Sequence, residues 1–152
     1  MSQPLCPEPS AGWLDGREHV LPVRIYYEDT DFTGLVYHAN YLRYFERGRS
    51  DFFRLVGISH SALLALPEPT AFTIIRIEVD YRRAARIDDA LQVRTTYDRL
   101  QGARLMVSQR LFRGEAVIAQ AVVHAVCIDL KGRARRPPPS LIAALSPLFA
   151  TP

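Results

Sequence analysis

The chain has 152 residues, of which 48% are apolar and 23% are charged, which suits one globular domain with a single core. The net charge is +3, and the basic excess is carried by arginine because Lys131 is the only lysine. Arginine favours bidentate contacts with phosphate, so a phosphorylated small molecule is a reasonable partner. The sequence has neither a clustered basic helix nor an aromatic RNP-type strand, so a nucleic-acid partner is not predicted.

The residue pattern also argues against a disulfide-bonded protein, a metal-binding protein and a membrane-spanning or secreted protein. Cys6 lies in a proline-rich segment and Cys127 in an apolar strand, so a disulfide framework is not expected. The four histidines lack metal-ligand spacing, and no metal site is predicted. No apolar run reaches membrane-spanning length, and the N-terminus lacks the pattern of a secretory signal. We therefore expect a cytoplasmic protein without an integral membrane segment.

The composition changes along the chain indicate where the domain lies. Residues 1–19 are rich in Pro, Ser and Gly and are predicted to be a disordered leader. The domain is expected to span residues 20–146, followed by a tail at 147–152. The segment Leu21–Glu28 is predicted to be its first strand.

An amphipathic helix is predicted from His38 or Asn40 to Val56. Its apolar stripe has steps of four and three residues, as in an α-helix, and runs through Tyr41, Phe45, Gly48, Phe52 and Leu55. A glycine on this inner stripe costs roughly 1 kcal/mol of helix propensity relative to alanine. Gly48 is therefore expected where the helix lies close against a flat surface such as a sheet.

The second half of the chain changes to the period of β-strands. After a short helical segment at 57–66, apolar residues alternate with polar ones from Ile75 to Tyr81 and from Leu91 to Tyr97. Gly102 and Gly114 mark turns that link three strands into a meander. The last strand, Ala116–Ile128, is apolar or small on nearly both faces, which is typical of a central strand. The order of elements predicts an α+β fold in which one antiparallel sheet wraps around one long helix.

The junction between the first strand and the long helix carries the chemistry. Asp31 precedes the helix start, where backbone N–H groups without intrahelical partners attract developing negative charge. A general base facing an oxyanion site is an arrangement for attacking a carbonyl. Taken alone, the spacing favours an ordinary turn or N-cap aspartate over a catalytic one.

The segment YYEDTDFTGLVYHANY at residues 26–41 resembles the hot-dog-fold acyl-CoA thioesterases, and most closely the YbgC-like branch of the 4-hydroxybenzoyl-CoA thioesterase family. The resemblance covers residues 21–145 and includes Phe45-Glu46-Arg47 and Val79-x-Tyr81. It implies a five- to six-stranded antiparallel sheet around one long central helix. It also implies hydrolysis of acyl-CoA with short-to-medium-chain or aromatic acyl groups, and no cofactor beyond the coenzyme A of the substrate.

The resemblance assigns roles by position. Asp31 matches the family's catalytic carboxylate, as general base or nucleophile, and His38 matches the residue whose N–H polarises the thioester carbonyl. Phe32 and Thr33 stand where small residues are common, which would narrow the acyl pocket. The predicted substrate-binding residues are Gly34, Tyr37, Glu46, Arg82, Arg83 and Arg86. The last three are expected to meet the coenzyme A phosphates.

Two other functions fit the same fold. One is a hot-dog hydratase or dehydratase acting on acyl thioesters, which the Asp31 motif disfavours. The other is a non-catalytic acyl-thioester-binding partner of the cell-envelope Tol-Pal machinery, near whose genes this branch is encoded in many bacteria. The two-sided apolar last strand and the single covering helix predict a homodimer or homotetramer, as the family forms, with active sites at the dimer interface.

Overall fold

The computed structural model describes residues 11–150. Its strands and helices are, in chain order, β1 (Trp13–Asp15), β2 (Glu18–Arg24), α1 (His38–Leu55), α2 (His60–Leu64), β3 (Ala71–Tyr81), β4 (Ala90–Gln101), β5 (Arg104–Arg113), β6 (Ala116–Ile128) and α3 (Pro139–Leu145). Short 3₁₀ turns occur at Tyr27–Asp29 and Ser146–Leu148.

The strands form one antiparallel sheet of six strands in the order β1-β2-β4-β5-β6-β3. One face of this sheet packs against α1. Along β4, for example, Leu91, Val93, Thr95 and Tyr97 are buried, whereas the residues between them are half-buried. The predicted α+β architecture, with a sheet around one long helix, is confirmed.

The helix α1 buries the predicted stripe until its last turn. Tyr41, Phe45 and Phe52 are at most 3% exposed, but Leu55 is 41% exposed. At this end of the helix Phe53 occupies the core instead. The centroid of its ring lies 5.6 Å from those of Phe72 and Tyr97. The buried face of α1 therefore shifts toward β3 in the last turn of the helix.

Gly48 lies against the sheet as predicted. A Cβ atom added there would stand 2.8 Å from Cγ1 of Val93 and 3.0 Å from Oγ1 of Thr95. Real Cβ contacts are longer than this, so glycine allows α1 to approach β4 this closely.

The two strands at and near the β3 edge differ from the sequence prediction. Alternation with polar residues predicts one buried face on this strand, but Ile75 and Tyr81 on that face are 52% and 47% exposed, and only Ile77 and Val79 are half-buried. The reason is topological: β3 pairs only with β6, with a bulge between Ile74 and Arg76, and its other side has no strand within the described residues. The apolar β6 is an interior strand paired on both sides, although it is next to the edge and not central.

The structure also extends the domain at its N-terminal end. β2 begins at Glu18 and pairs with β1, so that residues 13–19 belong to the sheet, and the segment at 27–29 is a 3₁₀ turn, not the end of a strand. Only residues 1–10 of the predicted leader lie outside the described residues, as do residues 151–152 of the tail. At the other end, the N–H of Ala150 still donates to the carbonyl of Tyr97 at 3.0 Å.

Candidate active site

Residues 30–36 form a tight hairpin-like loop that presents Asp31. Thr30 and Val36 make an isolated antiparallel bridge, and the N–H of Asp31 donates to the carbonyl of Leu35 at 2.9 Å. The N–H of Gly34 donates back to the carbonyl of Asp31 at 3.0 Å, and Gly34 has φ +81°, a conformation that favours glycine. The loop thus holds the backbone of Asp31 by two hydrogen bonds.

Asp31 is half-buried as a residue, and its carboxylate accepts two hydrogen bonds from Thr33. Oδ1 of Asp31 lies 2.5 Å from Oγ1 and 2.8 Å from the backbone nitrogen of Thr33. These donors, the hydroxyl first, lower the pKa of Asp31 below its ordinary value. Asp31 is therefore ionised at neutral pH, as a base or a nucleophile must be.

The start of α1 offers unpaired donors. Its N-cap, Tyr37, makes no side-chain cap, and within residues 11–150 no group accepts a hydrogen bond from the N–H of His38 or Ala39. These N–H groups carry the positive end of the helix dipole. The helix start can therefore receive an anion or the developing negative charge on a carbonyl oxygen.

Asp29 ties the loop to the helix start. Its carbonyl accepts from the N–H of Tyr37 at 2.9 Å and from Nδ2 of the buried Asn40 at 2.8 Å. Its carboxylate accepts from the N–H of Tyr26 at 2.7 Å, which closes the 3₁₀ turn. The catalytic candidate Asp31 and the donor candidate His38 therefore belong to one hydrogen-bonded unit.

The last residue of β3 and the segment that follows it form hydrogen bonds with this unit. The N–H of Val36 donates to the carbonyl of Ala85 at 2.9 Å, and the hydroxyl of Tyr81 donates to the carbonyl of His38 at 3.0 Å. Arg82, Arg83 and Arg86 are exposed on the same segment, and within the described part of the chain none of the three side chains forms an ion pair. Three unpaired guanidinium groups thus follow the strand whose last residue contacts the helix start.

An open cleft of about 480 Å³ lies beside Asp31. Its walls are formed by Tyr27, Thr30, Asp31, Phe32, Gly34 and Ile87. The side chains of Tyr27 and Phe32 are more than four-fifths exposed, so Phe32 projects from the loop and does not narrow a closed pocket within this chain. The cleft combines apolar surface with one carboxylate.

Of the predicted substrate-binding residues, only Gly34 lines this cleft; the other five, like His38, lie outside its lining. Glu46 stands two turns further along α1, where it accepts a 2.5 Å hydrogen bond from Ser50, whose hydroxyl is also 3.0 Å from Nε2 of His60. Tyr37 is exposed, and its ring lies 4.7 Å from that of His38 at the helix start. The contact of Thr33 with Asp31 was not predicted, because a hydroxyl two residues after an aspartate is ordinary turn chemistry.

Residues 25–145 match the sequence profile of the Thioesterase-like superfamily. The chain belongs to this superfamily. Among thioesterase-like relatives, the chain is 41% identical over 109 residues to the acyl-CoA thioesterase YbgC of Haemophilus influenzae, covering 72% of this chain and 79% of that one. It is 40% identical over 124 residues to the acyl-CoA thioester hydrolase YbgC of Escherichia coli, covering 80% of this chain and 91% of that one.

The fold agrees with that of solved thioesterase structures. The probable thioesterase from Bartonella henselae superimposes with a TM-score of 0.78 at 40% identity, covering 80% of this chain and 99% of that one. Within the described residues, no helix is long and apolar enough to cross a membrane. No group of three metal-ligating side chains converges in that same part of the thioesterase-like chain.

Proposed function

We propose that this protein is an acyl-CoA thioesterase whose base or nucleophile is Asp31. The observation that carries the proposal is the placement of an ionised carboxylate on a loop hydrogen-bonded to an uncapped helix start. The relatives named as acyl-CoA thioesterases support the same reaction. No comparison favours a hydratase or a non-catalytic partner.

The reaction divides the work between the loop and the helix. The thioester carbonyl oxygen rests on the N–H groups of His38 and Ala39, which stabilise the negative charge that develops on it. Asp31 takes a proton from a water molecule while the water oxygen attacks the carbonyl carbon. The tetrahedral intermediate then collapses and expels the coenzyme A thiolate, which receives the proton from Asp31. Alternatively, Asp31 attacks the carbonyl itself and water hydrolyses the resulting mixed anhydride. Neither route requires a cofactor.

The cleft and the arginines support the substrate class. Apolar surface from Tyr27, Phe32 and Ile87 suits a short-to-medium-chain or aromatic acyl group. The exposed Arg82, Arg83 and Arg86 suit the coenzyme A phosphates, because guanidinium groups bind phosphate through paired N–H donors. Their position after Tyr81, which contacts the helix start, supports this assignment.

The Asp31→Asn variant tests the proposal. The substitution retains size and hydrogen bonding but removes basicity and nucleophilicity, so we expect kcat/KM to fall by about a hundred-fold or more. Thiol release from a panel of acyl-CoA substrates measures this, and hydration of enoyl-CoA is followed in parallel. Near-normal hydrolysis by folded Asp31→Asn protein would contradict the assignment, and hydration without thiol release would favour the hydratase.

We also propose that the protein is a homodimer, or a homotetramer built from such dimers. Within the described residues, the outer edge of the eleven-residue β3 has no partner strand and exposes Ile74, Ile75 and Tyr81, which supports pairing with the same edge of a second copy. A cytoplasmic location stays a prediction that cell fractionation can test.

A further inference from the structure

The carboxylate of Asp31 is held asymmetrically. Oδ1 accepts both of its hydrogen bonds from Thr33, one from the hydroxyl at 2.5 Å and one from the backbone N–H at 2.8 Å. Within the described residues, no hydrogen bond is made to Oδ2, and the backbone N–H of Leu35 lowers the pKa of the carboxyl less than the two Thr33 donors do. One oxygen is therefore occupied, and the other is free on the side chain that lines the 480 Å³ cleft.

The loop fixes this geometry. Thr33 follows Asp31 by two residues, and the hydrogen bonds between Asp31 and Gly34 and between Asp31 and Leu35 close the backbone around both of them. Any residue at position 33 except proline could supply the N–H, but only a hydroxyl side chain adds the second, shorter bond. Hydrogen bonds to a carboxylate are stronger than neutral ones, so the hydroxyl restrains the rotation of the carboxylate.

We propose that Thr33 is a positioning residue for thioester hydrolysis, whose hydroxyl and N–H hold Oδ1 of Asp31 so that Oδ2 is the oxygen that takes the proton or attacks the carbonyl. The inference rests on the proposed function of Asp31 and deepens it. Thr33 itself does not touch the reacting atoms.

The same contact adjusts the charge of the site. By donating to the ionised form of Asp31, the hydroxyl lowers the pKa of that carboxyl and keeps it ionised in weakly acidic solution. The hydroxyl thus reduces the basicity of Asp31 but fixes its orientation and widens the pH range in which it is ionised. Loss of the hydroxyl should change both the rate and its pH dependence.

The experiment compares Thr33→Val with Thr33→Ser. Valine has nearly the shape of threonine but lacks the hydroxyl, whereas serine retains it. Position 33 is exposed, so both variants should fold. In Thr33→Val we expect kcat to fall about ten-fold or more, as expected for loss of a hydrogen bond to a charged group. KM should change little, and the acidic limb of the kcat profile should move to higher pH. Thr33→Ser should restore both the rate and the limb.

A second readout does not depend on activity. The carboxyl carbon of Asp31, assigned in NMR spectra by comparison with Asp31→Asn protein, should titrate at higher pH in Thr33→Val than in the unsubstituted protein. An unchanged titration and an unchanged acidic limb would overturn the proposal, as would Thr33→Ser behaving like Thr33→Val.

The two hypotheses fail in different ways. If Asp31→Asn protein hydrolyses acyl-CoA normally, the proposed role of Asp31 is wrong, and with it the positioning role of Thr33, even if the carboxyl titration of Thr33→Val is shifted. If Asp31→Asn is inactive but Thr33→Val has the kcat, KM and pH profile of the unsubstituted enzyme, only the inference about Thr33 is wrong.

Discussion

At the start of α1, His38 offers two different groups to a substrate, its backbone N–H and its imidazole. The N–H is unpaired within the described residues, and the ring is exposed between Tyr37 and Tyr81, 4.7 and 6.3 Å from their rings. Because the oxyanion needs a donor that does not have to reorganise, we attribute the larger effect to the N–H. A pair of substitutions at this single position can separate the two.

We predict that His38→Pro lowers kcat by about a hundred-fold or more, the cost of losing one oxyanion donor, while His38→Ala lowers it less. Position 38 is the first residue of α1, where proline is well tolerated, and Tyr37 before it has φ −62° and ψ 130°, which suits a residue preceding proline. The proline should therefore remove the N–H without disturbing the helix. Steady-state kinetics on one acyl-CoA measures both variants, and circular dichroism confirms that each is folded.

His38→Ala retains the N–H and serves as the control. If it is as inactive as Asp31→Asn, the imidazole is central to the mechanism and the prediction is wrong. If His38→Pro is folded and active, the carbonyl does not rest on this N–H.

Among the elements, the β1–β2 hairpin is attached to α1 by a buried polar contact. Nε2 of the fully buried His19 lies 2.7 Å from Oδ2 of Asp51, which also accepts from the N–H of Gly12 at 2.8 Å. Nδ1 of His19 has no hydrogen-bond partner within the described residues. A proton added there would be buried without an acceptor, so the neutral ring is favoured.

This contact predicts a loss of stability in weak acid. Burial lowers the pKa of His19, and the hydrogen bond to Asp51 opposes this only in part. The unfolded chain takes up the proton near pH 6.5, before the folded protein does. The stabilisation is therefore complete above that pH and decreases as the pH falls below it, by at most about 1.4 kcal/mol per pH unit. Urea unfolding at constant protein concentration across this range measures the slope.

His19→Gln is the matched variant, because its side-chain amide still donates to Asp51 but does not titrate. We expect the free energy of unfolding of this variant to change less between pH 7 and pH 5 than that of the unsubstituted protein. Equal slopes would show that His19 is not the group responsible.

Over the whole molecule, the two ends of the sheet are unequal edges. β1 has three residues, whereas β3 has eleven and exposes Ile75 on a strand without a neighbour on its outer side in the described structure. Long unpaired edges favour pairing with another chain, and lysine on an edge opposes it.

We therefore predict that Ile75→Lys weakens self-association by about ten-fold or more, whereas Leu14→Lys on β1 does not. Sedimentation equilibrium measures the association, and activity on dilution should fall together with it if the active site needs the second copy. A fully active monomer would rule out the shared site.

The exposed arginines after β3 should affect how strongly the protein binds the coenzyme A phosphates. If Arg82, Arg83 and Arg86 hold the coenzyme A phosphates, KM for acyl-CoA should rise with salt, because partly exposed ion pairs are screened. Replacing the three with alanine should raise KM for acyl-CoA but not for a phosphate-free pantetheine thioester. Arg104→Ala is the control, because Arg104 lies far from these arginines. It is the first residue of β5, whereas Leu111, near the other end of β5, pairs with Ala119, the β6 residue that also pairs with Tyr81. Equal kcat/KM for both thioesters at low salt would contradict the assignment.

The long helix, the β-meander and the place of Asp31 before the helix start could be predicted from the residue order, because these features depend on local periodicity and turn chemistry. The residue order also predicted the close approach at Gly48, since a glycine lowers helix propensity and is favoured on an apolar helix face where a larger side chain would not fit. That residues 13–19 join the sheet and that β3 is an exposed edge is visible only in the folded chain. Those outcomes depend on which strand pairs with which, over separations that local pattern does not record. The hydrogen bonds from Thr33 to Asp31 could not be predicted from the residue order either. Local pattern does not show which of the two carboxylate oxygens accepts them.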